Sequence, residues 1–382
     1  MKFITRFFSR RESPDSAEER FLLAKRLEAQ QDFVQAFFWY EKAASQGHTN
    51  AQNNLGLLYE RGKGVAPDSQ RAMSLYRRAA ELGNAKAQHN LGRMYHTGEA
   101  VERDYPQALF WYLEAVENDG VAHSLFALGS LYYAEDFPQR DLAKAVEYWR
   151  QSALKNLSEG QFRLGYEYHQ GGGVEIDLCQ AVYWYQLAAE QDHPSALFNL
   201  AHMYYSGEAG REDPERGLSY LRRSAELGCL LAQLDLSDRY MHGDGAGKDL
   251  AEALRWCETA AEQGSPEAQY NLVIFYLKSG DAAQRKRAFD ILHTLAAQSV
   301  ANAQFLLGAL YQEGELINPE PELAIYWYTK AAELGHRGAQ QSLIAAQNMD
   351  IRLDRYAPDI TMRPESLPYG QTFISPDGKY VN

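Results

Sequence analysis

Histidine is the commonest metal ligand in proteins, and this chain contains 10 histidines. Two of them, His89 and His96, lie seven residues apart, which places them about two turns apart along a helix. That spacing exceeds the i, i+4 separation of a tight ligand pair, and no cysteine lies nearby to complete a zinc site. The sequence therefore predicts no metal site and no cofactor.

Two glycine-rich stretches, Gly171–Gly173 and Gly243–Gly247, have a composition that could cradle phosphate. Neither is followed by Lys-Ser or Lys-Thr at the start of a helix, and no strand is predicted before either one. No Ser-His-Asp or Cys-His arrangement departs from the periodic pattern described below. The sequence therefore predicts that the chain is not an enzyme. A hydrolase or other enzyme would need a catalytic group that breaks this pattern.

The helices that position every remaining polar group recur with a period of about 36 residues. The units begin at small residues: Ala51, Ala87, Ser124, Gly160, Ala196, Ala232, Ala268 and Ala303. Leucine follows four residues later and tyrosine eight residues later in every unit, and a small residue, mostly glycine, occupies offset 5 in most units. Offsets 0, 4, 5 and 8 share one face of a helix, which we call the first helix of the unit. The glycine predicts close approach of the backbone of a second helix.

A second helix completes each unit. A glycine such as Gly62 or Gly98 suits a left-handed end to the first helix, and an aspartate such as Asp68 suits the start of the next. The second helix carries alanine and often an aromatic pair, as in Trp111-Tyr112. One such pair cannot bury its apolar stripe alone, but a stack of pairs can. The pattern predicts an all-α fold, an α-solenoid of antiparallel helix pairs.

The array spans residues 17–348, with a degenerate first unit, eight explicit units and a capping helix from Ala339. Residues 1–16 precede it and residues 349–382 follow it. Two units are irregular. The unit at 124–159 has Glu135-Asp136 in place of the loop glycine, and the unit at 268–302 has Val273 at offset 5, no tryptophan and no aspartate cap. We expect altered twist or weaker packing there, whether as a hinge or as simple drift.

The repeated pattern resembles the Sel-1-like repeat, a relative of the tetratricopeptide repeat. Residues 51–83 carry it almost whole: Ala51, Leu55, Gly56, Tyr59, Gly62, Gly64, Val65, Asp68, Ala72, Tyr76, Ala79, Ala80 and Gly83. The resemblance implies a right-handed α-solenoid of about nine repeats, of a kind common in bacteria, that serves as an adaptor or scaffold. It also implies that the first helices line the concave groove.

Offsets 2, 3, 6 and 9 of the first helices would then face a partner. Offset 3 holds Asn54, Asn90, Arg163, Asn199 and Asn271. Offset 6 holds Arg93, Tyr166 and His202, and offset 9 holds His96, Tyr133, His169 and Tyr205. Asparagine can pair with both the N–H and the C=O of an extended peptide, and aromatic rings supply contact area. As an alternative, the asparagines cap or bridge neighbouring helices. The aromatic residues at offset 2, such as Phe162, would likewise pack between repeats.

The two ends carry separate patterns. Residues 1–11 place apolar and basic residues together: Phe3, Ile4, Phe7 and Phe8, flanked by Lys2, Arg6, Arg10 and Arg11. This segment fits an amphipathic helix at a membrane or partner surface, a disordered start, or a helix folded on the first repeat. The tail contains four prolines and a turn signature between Phe373 and Val381. It is either disordered or lies along the solenoid, where it would compete with a partner.

Charge and cysteine content bound the function further. The formal net charge is −13, and an acidic surface repels phosphate backbones, so we expect no nucleic-acid partner. The three cysteines show no close pairing, which fits a reducing compartment and a cytoplasmic location. We expect an adaptor that binds a protein or peptide in its groove. The alternative is a regulator or immunity-type protein that acts through its outer surface or its ends.

Overall fold

The computed structural model describes residues 15–119, 121–279, 281–314, 319–348, 373–375 and 380–381. The N-terminal apolar and basic segment lies outside the described residues, as do residues 349–372 of the tail. The chain divides into two compact units, residues 1–191 and residues 192–382. Each unit is described by itself.

The first unit consists of five pairs of helices, and consecutive helices pack against one another. The pairs are α1 (Ala17–Ala29) with α2 (Phe33–Ser45), α3 (Thr49–Arg61) with α4 (Ser69–Glu81), α5 (Ala85–Thr97) with α6 (Tyr105–Asp119), α7 (Ala122–Tyr133) with α8 (Leu142–Leu154), and α9 (Ser158–Gln170) with α10 (Leu178–Glu190). The first helices also contact one another, as α5 does with α3 and α7.

The second unit has four further pairs and a terminal helix. The pairs are α11 (Pro194–Ser206) with α12 (Pro214–Glu226), α13 (Leu230–His242) with α14 (Leu250–Glu262), α15 (Pro266–Lys278) with α16 (Ala282–Ala297), and α17 (Ala301–Glu313) with α18 (Pro321–Glu333), followed by α19 (Arg337–Asn348). Two short strands, β1 (Phe373–Ile374) and β2 (Tyr380–Val381), pair in antiparallel fashion. The predicted all-α solenoid of helix pairs is confirmed.

The glycine at offset 5 makes room for an aromatic ring of the second helix. A β-carbon at Gly92 would lie 2.8 Å from a ring carbon of Tyr112, and one at Gly129 would lie 2.5 Å from the Trp149 ring. Where offset 5 is larger, the facing residue is not aromatic. The three such pairs are Ala201 with Leu221, Ser237 with Cys257, and Val273 with Leu292. Glycine and ring are therefore matched within each pair, and the approach is made mainly by a side chain.

Aspartate side chains cap the second helices as predicted. Asp68 accepts from the Arg71 amide at 3.0 Å, and Asp177 accepts from the Gln180 amide at 3.0 Å. The prediction that α16 lacks an aspartate cap is wrong, because Asp281 accepts from the Ala283 amide at 3.0 Å. Asp281 lies seven residues before the periodic alanine of its helix, whereas Asp68 lies four before its own. The helix begins nearly one turn early, so the cap falls outside the expected register.

Buried glutamines at offset 1 tie successive repeats together. Each donates its amide to a carbonyl in the last turn of the preceding second helix, as Gln88 does to Ala80 at 3.1 Å. Gln52, Gln161, Gln233 and Gln304 make the equivalent bond to Ala44, Ala153, Ala225 and Ala296. The Gln88 carbonyl oxygen in turn accepts from Asn118 of α6 at 3.0 Å. The Gln88 side chain on α5 thus bonds to groups on α4 and α6, and so links three consecutive helices.

Candidate interaction surface

We call the side chains at offsets 2, 3, 6 and 9 of the first helices the first-helix face. In the first unit its asparagines form a chain of hydrogen bonds. Asn54 donates to the Tyr40 hydroxyl at 3.0 Å, Asn53 donates to the Asn54 side-chain oxygen at 3.2 Å, and Asn90 donates to Asn53 at 2.9 Å. Asn54 and Asn90 are both half-buried. These amides therefore bridge neighbouring repeats, which is the structural alternative to peptide binding.

Arg93 and His96 are also engaged by the scaffold. Arg93 forms ion pairs with Glu60 of α3 and with Glu99, the latter at 3.1 Å. His96 lies with its Nδ1 atom 3.4 Å from the Tyr112 hydroxyl, and burial lowers its pKa. Both side chains remain half-buried, so each offers one edge to a partner.

Arg163 of α9 lies in a cluster of aromatic rings. Its guanidinium carbon is 4.2 Å from the Tyr133 ring centre, 4.3 Å from that of Trp149 and 5.6 Å from that of Tyr166. Such contacts stabilise a desolvated guanidinium by about 2 kcal/mol each. The first helix of one repeat, its second helix and the next first helix together build this cluster. Three of the predicted residues, Tyr133, Arg163 and Tyr166, are therefore brought together.

Glu167 completes the cluster one helical turn from Arg163. The Arg163 Nη2 and Glu167 Oε1 atoms are 2.8 Å apart, but they are not aligned for a hydrogen bond. Burial raises the pKa of Glu167 to about 7, and the Arg163 charge only partly opposes that effect. His169 follows Glu167 by two residues on α9; it is also buried, and burial lowers its pKa to about 4.

The second unit contains an ion pair at the same offsets with the charges exchanged, so that the acid is at offset 3 and the arginine at offset 7. Asp235 at offset 3 of α13 accepts from Arg239 Nε at offset 7, at 2.9 Å. His202 Nε2 of α11 lies 3.1 Å from the other Asp235 oxygen, and the Arg239 guanidinium is 3.6 Å from the Tyr205 ring centre. Burial raises the pKa of Asp235, but His202 and Arg239 outweigh it, so the pKa lies below its usual range. This pair is consequently ionised near neutral pH.

The remaining predicted positions lie apart from these clusters. Asn199 is fully buried on α11, whereas Asn271 on α15 is half-buried. The sequence placed Arg163, Tyr166, His169 and Asn199 on an open surface, and all four are buried instead. A partner would reach them only where covering groups move aside.

The sequence did not single out Glu167, Asp235 or Arg239, although it carries a signal for Glu167 and Arg239. Offset 7 is apolar in six repeats, with Leu58, Met94, Leu131, Met203, Phe275 and Leu310. Only Glu167 and Arg239 break this pattern among the eight explicit repeats. The charged residue at offset 7 is thus the mark that separates these two first helices from the others.

Across the described ranges, no three His, Cys, Asp or Glu side chains come together in a way that could hold a metal ion. Among the same residues, no helix is both long and apolar enough to cross a membrane.

The helix pairs, the matched glycine–ring contacts and the polar first-helix face define an α-solenoid repeat protein. The Sel1 repeat family model matches residues 25–48, 49–84, 85–120, 122–157, 158–193, 194–229, 230–265 and 301–336. The chain belongs to the Sel1 repeat family. The unmatched stretch between 265 and 301 holds the irregular unit around Val273.

Solved structures with the same fold include two bacterial proteins of similar extent. A protective antigen of uropathogenic Escherichia coli with an SLR fold is 34% identical, with 86% of this chain and 71% of that chain covered and a TM-score of 0.60. A Sel1 repeat protein of Oxalobacter formigenes is 29% identical, with 86% of each chain covered and a TM-score of 0.52.

An immunity protein of Pseudomonas aeruginosa is 22% identical, with 58% of this chain and 85% of that chain covered and a TM-score of 0.40. No curated protein matches the chain. Sel1 repeat proteins are generally protein-interaction scaffolds, and the fold is typically non-enzymatic. Repeat proteins of this kind generally bind proteins or peptides.

Proposed function

We propose that this protein is a scaffold or adaptor that binds a protein or peptide through the first-helix face, centred in the first unit on Tyr133, Arg163 and Tyr166. The observation that carries the proposal is the buried Arg163–Glu167 pair, which stands among aromatic rings at offsets 3 and 7, where every other explicit repeat except that of Asp235 and Arg239 has neutral or apolar residues. We further propose that the protein is bacterial and acts in the cytoplasm.

The energetics of this pair support a role in recognition. Taking two charges out of water costs several kcal/mol for each ion, and only excellent geometry with further hydrogen bonds offsets that cost. Here the Nε atom of Arg163 is buried and has no hydrogen-bond partner among the described residues, and the Nη2 atom of Arg163 and the Oε1 atom of Glu167 contact only each other, 2.8 Å apart. Apolar residues at both positions would stabilise the fold at least as well. A ligand that supplies the missing acceptor and donor accounts for the charged pair better than stability does.

The chemistry of the face favours an extended polypeptide. Tyr133 and Tyr166 offer rigid, low-entropy contact area, and half-buried Asn54 and Asn90 add amide groups along the same face. The formal net charge of −13 disfavours nucleic acid as the partner. The face therefore suits a peptide segment that contributes polar groups to the Arg163 cluster and apolar side chains to its rings.

The test is a double substitution that removes the pair and keeps its volume, Arg163→Met with Glu167→Met. The matched control is Glu147→Met with Arg150→Met, since those residues form an exposed pair on the second helix α8 of the same unit. Each variant and the wild type would be used for quantitative affinity capture, with circular dichroism as the check on folding. We expect the first variant to lose the captured partner and the control to retain it. Equal capture by all three proteins would contradict the proposal.

An outer-surface mode, as in a regulator or immunity-type protein, has one observation in its favour. Exposed rings of Phe38, Phe110 and Tyr183 each stack edge-on against the following tryptophan, at 5.1, 4.9 and 5.0 Å between ring centres. They recur on every second repeat of the first unit. Phe110→Ser with Tyr183→Ser in the same capture experiment distinguishes this mode, because it predicts loss of the partner from that variant and not from the Arg163 and Glu167 variant.

A further inference from the structure

Part of the C-terminal tail lies against a first helix of the second unit. Strand β1 packs on α11 and pairs with β2 in the register Phe373 with Val381 and Ile374 with Tyr380. Ser375, the residue after β1, is 7% exposed. An exposed two-stranded hairpin is marginal in water by itself, so contact with a packed surface is what would hold it.

Strand β1 contacts α11, and one side of α11 packs on α12. We therefore assign β1 to the first-helix face of α11. Phe198 and Asn199, at offsets 2 and 3 of α11, are fully buried, and so nearly are Leu234 and Asp235 of α13. Their counterparts on α15, Tyr270 and Asn271, are only half-buried. Burial at these offsets thus varies among the first helices of this unit, and it is complete on α11, where β1 packs.

Backbone chemistry explains why a hairpin suits this site. A helix face offers no free N–H or C=O groups to an incoming strand, because its own ladder uses them. One edge of β1 is satisfied by β2, so the strand pair can pack on the helix without backbone hydrogen bonds from it. The segment runs Phe-Ile-Ser-Pro-Asp-Gly-Lys-Tyr-Val, which places apolar residues on both strands and turn-forming residues between them.

We propose that the first-helix face of α11 is a docking site for a short hairpin segment, that residues 373–381 are its resident occupant, and that a partner segment of the same chemistry competes for it. That chemistry is an apolar pair followed by serine and proline, then Asp-Gly, which is a turn-forming sequence, and a second apolar pair. This inference rests on the proposed function, since it names the kind of segment that the first-helix face accepts. It also assigns the tail a regulatory role, because the resident hairpin must leave before a partner binds.

The test uses the full chain and a synthetic peptide of residues 371–382 that carries a fluorescent label. In the wild type the tethered tail competes at an effective concentration on the order of millimolar, so the peptide should bind weakly. Ser375→Arg in the chain places a long charged side chain at a buried position and should release the tail. We expect that variant to bind the peptide about tenfold more tightly or better, by fluorescence anisotropy.

Two controls make each outcome decisive. A peptide with the same Ser375→Arg change should not bind either protein, and amide exchange at residues 373–375 and 380–381 should accelerate in the Ser375→Arg chain. Equal peptide affinity for both proteins, binding of both peptides alike, or unchanged exchange would each overturn the inference. The assay needs no unidentified partner and does not involve Arg163, so its failure would leave the proposed scaffold function standing.

Discussion

Arg163 Nη2 lies 2.8 Å from Glu167 Oε1, one turn away on α9, and the guanidinium is flanked by the rings of Tyr133 and Trp149. Both side chains are buried, which makes the pair costly to desolvate. Its properties can be measured without knowledge of any partner.

The pH dependence of stability should report Glu167. Burial raises its pKa from an ordinary value of 4.5 to about 7, so the folded protein holds a proton that the unfolded chain releases. This stabilising contribution is fully present below about pH 4.5 and is lost as the pH rises through 7, by about 3 kcal/mol in all. Urea unfolding at pH 5 and pH 8 should show a steeper loss in the wild type than in Glu167→Gln. Identical pH dependence in the two proteins would contradict this account.

His89 should change the pH dependence of stability in the direction opposite to Glu167. Burial, aided by the charges of His123 and Arg93, lowers the pKa of His89 to about 4. The folded value lies below the ordinary 6.5, so stability that is present above pH 6.5 is lost as the pH falls towards 4, by about 3 kcal/mol. His89→Gln retains a hydrogen-bonding group near Ser124 and should lose less stability between pH 7 and pH 4.5. An NMR titration that places the His89 midpoint near 6.5 would rule this out.

The matching of a glycine to an aromatic ring predicts that a second substitution can restore stability lost by the first. Gly92→Ala should destabilise the protein by about 2 kcal/mol, despite the better helix propensity of alanine, because the new β-carbon would lie 2.8 Å from the Tyr112 ring. Tyr112→Leu alone should also destabilise it, because it leaves a cavity. The double variant recreates the Ala201–Leu221 pairing and should be more stable than the sum of the two losses predicts. Additive losses in a double-mutant cycle would mean that the two positions are not coupled.

Removal of the N-terminal cap of α16 should reduce stability by less than the substitutions at Gly92 and Tyr112. Asp281→Ala removes the acceptor for the Ala283 amide and should cost about 1 kcal/mol of stability. Asp290→Ala, further along the same helix, is the control and should change stability by less than about 0.5 kcal/mol. Thermal unfolding of the three proteins compares the two losses directly. Similar losses at both positions would show that the cap contributes nothing specific.

The fold was predictable because its determinants are local and periodic. Leu91 and Leu128 recur at one offset, and Asp68 and Asp177 recur at the helix starts, so the same signals predict the helices of several repeats. Asp281 was missed because the extra turn of α16 shifts it out of register. The glycine at offset 5 was predicted to admit the backbone of a second helix, whereas the atoms nearest to it belong to the ring of Tyr112 or Trp149, whose position depends on how the pair packs.

The candidate surface was harder to predict, because the period shows which residues share a face and not what covers them. Asn90 was predicted to face a partner, but its bond to Asn53 joins residues 37 positions apart on two helices, which no period reveals. Burial of Arg163 depends on rings from Tyr133 and Trp149, which lie on two other helices. The charge at offset 7 was visible in the sequence, and its meaning required the structure.

The most direct test of the central claim is the dissociation constant of the partner that the wild type captures. It should be measured for the Arg163→Met and Glu167→Met double variant and for the Glu147→Met and Arg150→Met control. We predict at least about a tenfold weaker affinity for the first variant and an unchanged affinity for the control, since charges buried at an interface contribute more than exposed ones. An unchanged affinity in the first variant, with both proteins folded, would contradict binding through the first-helix face.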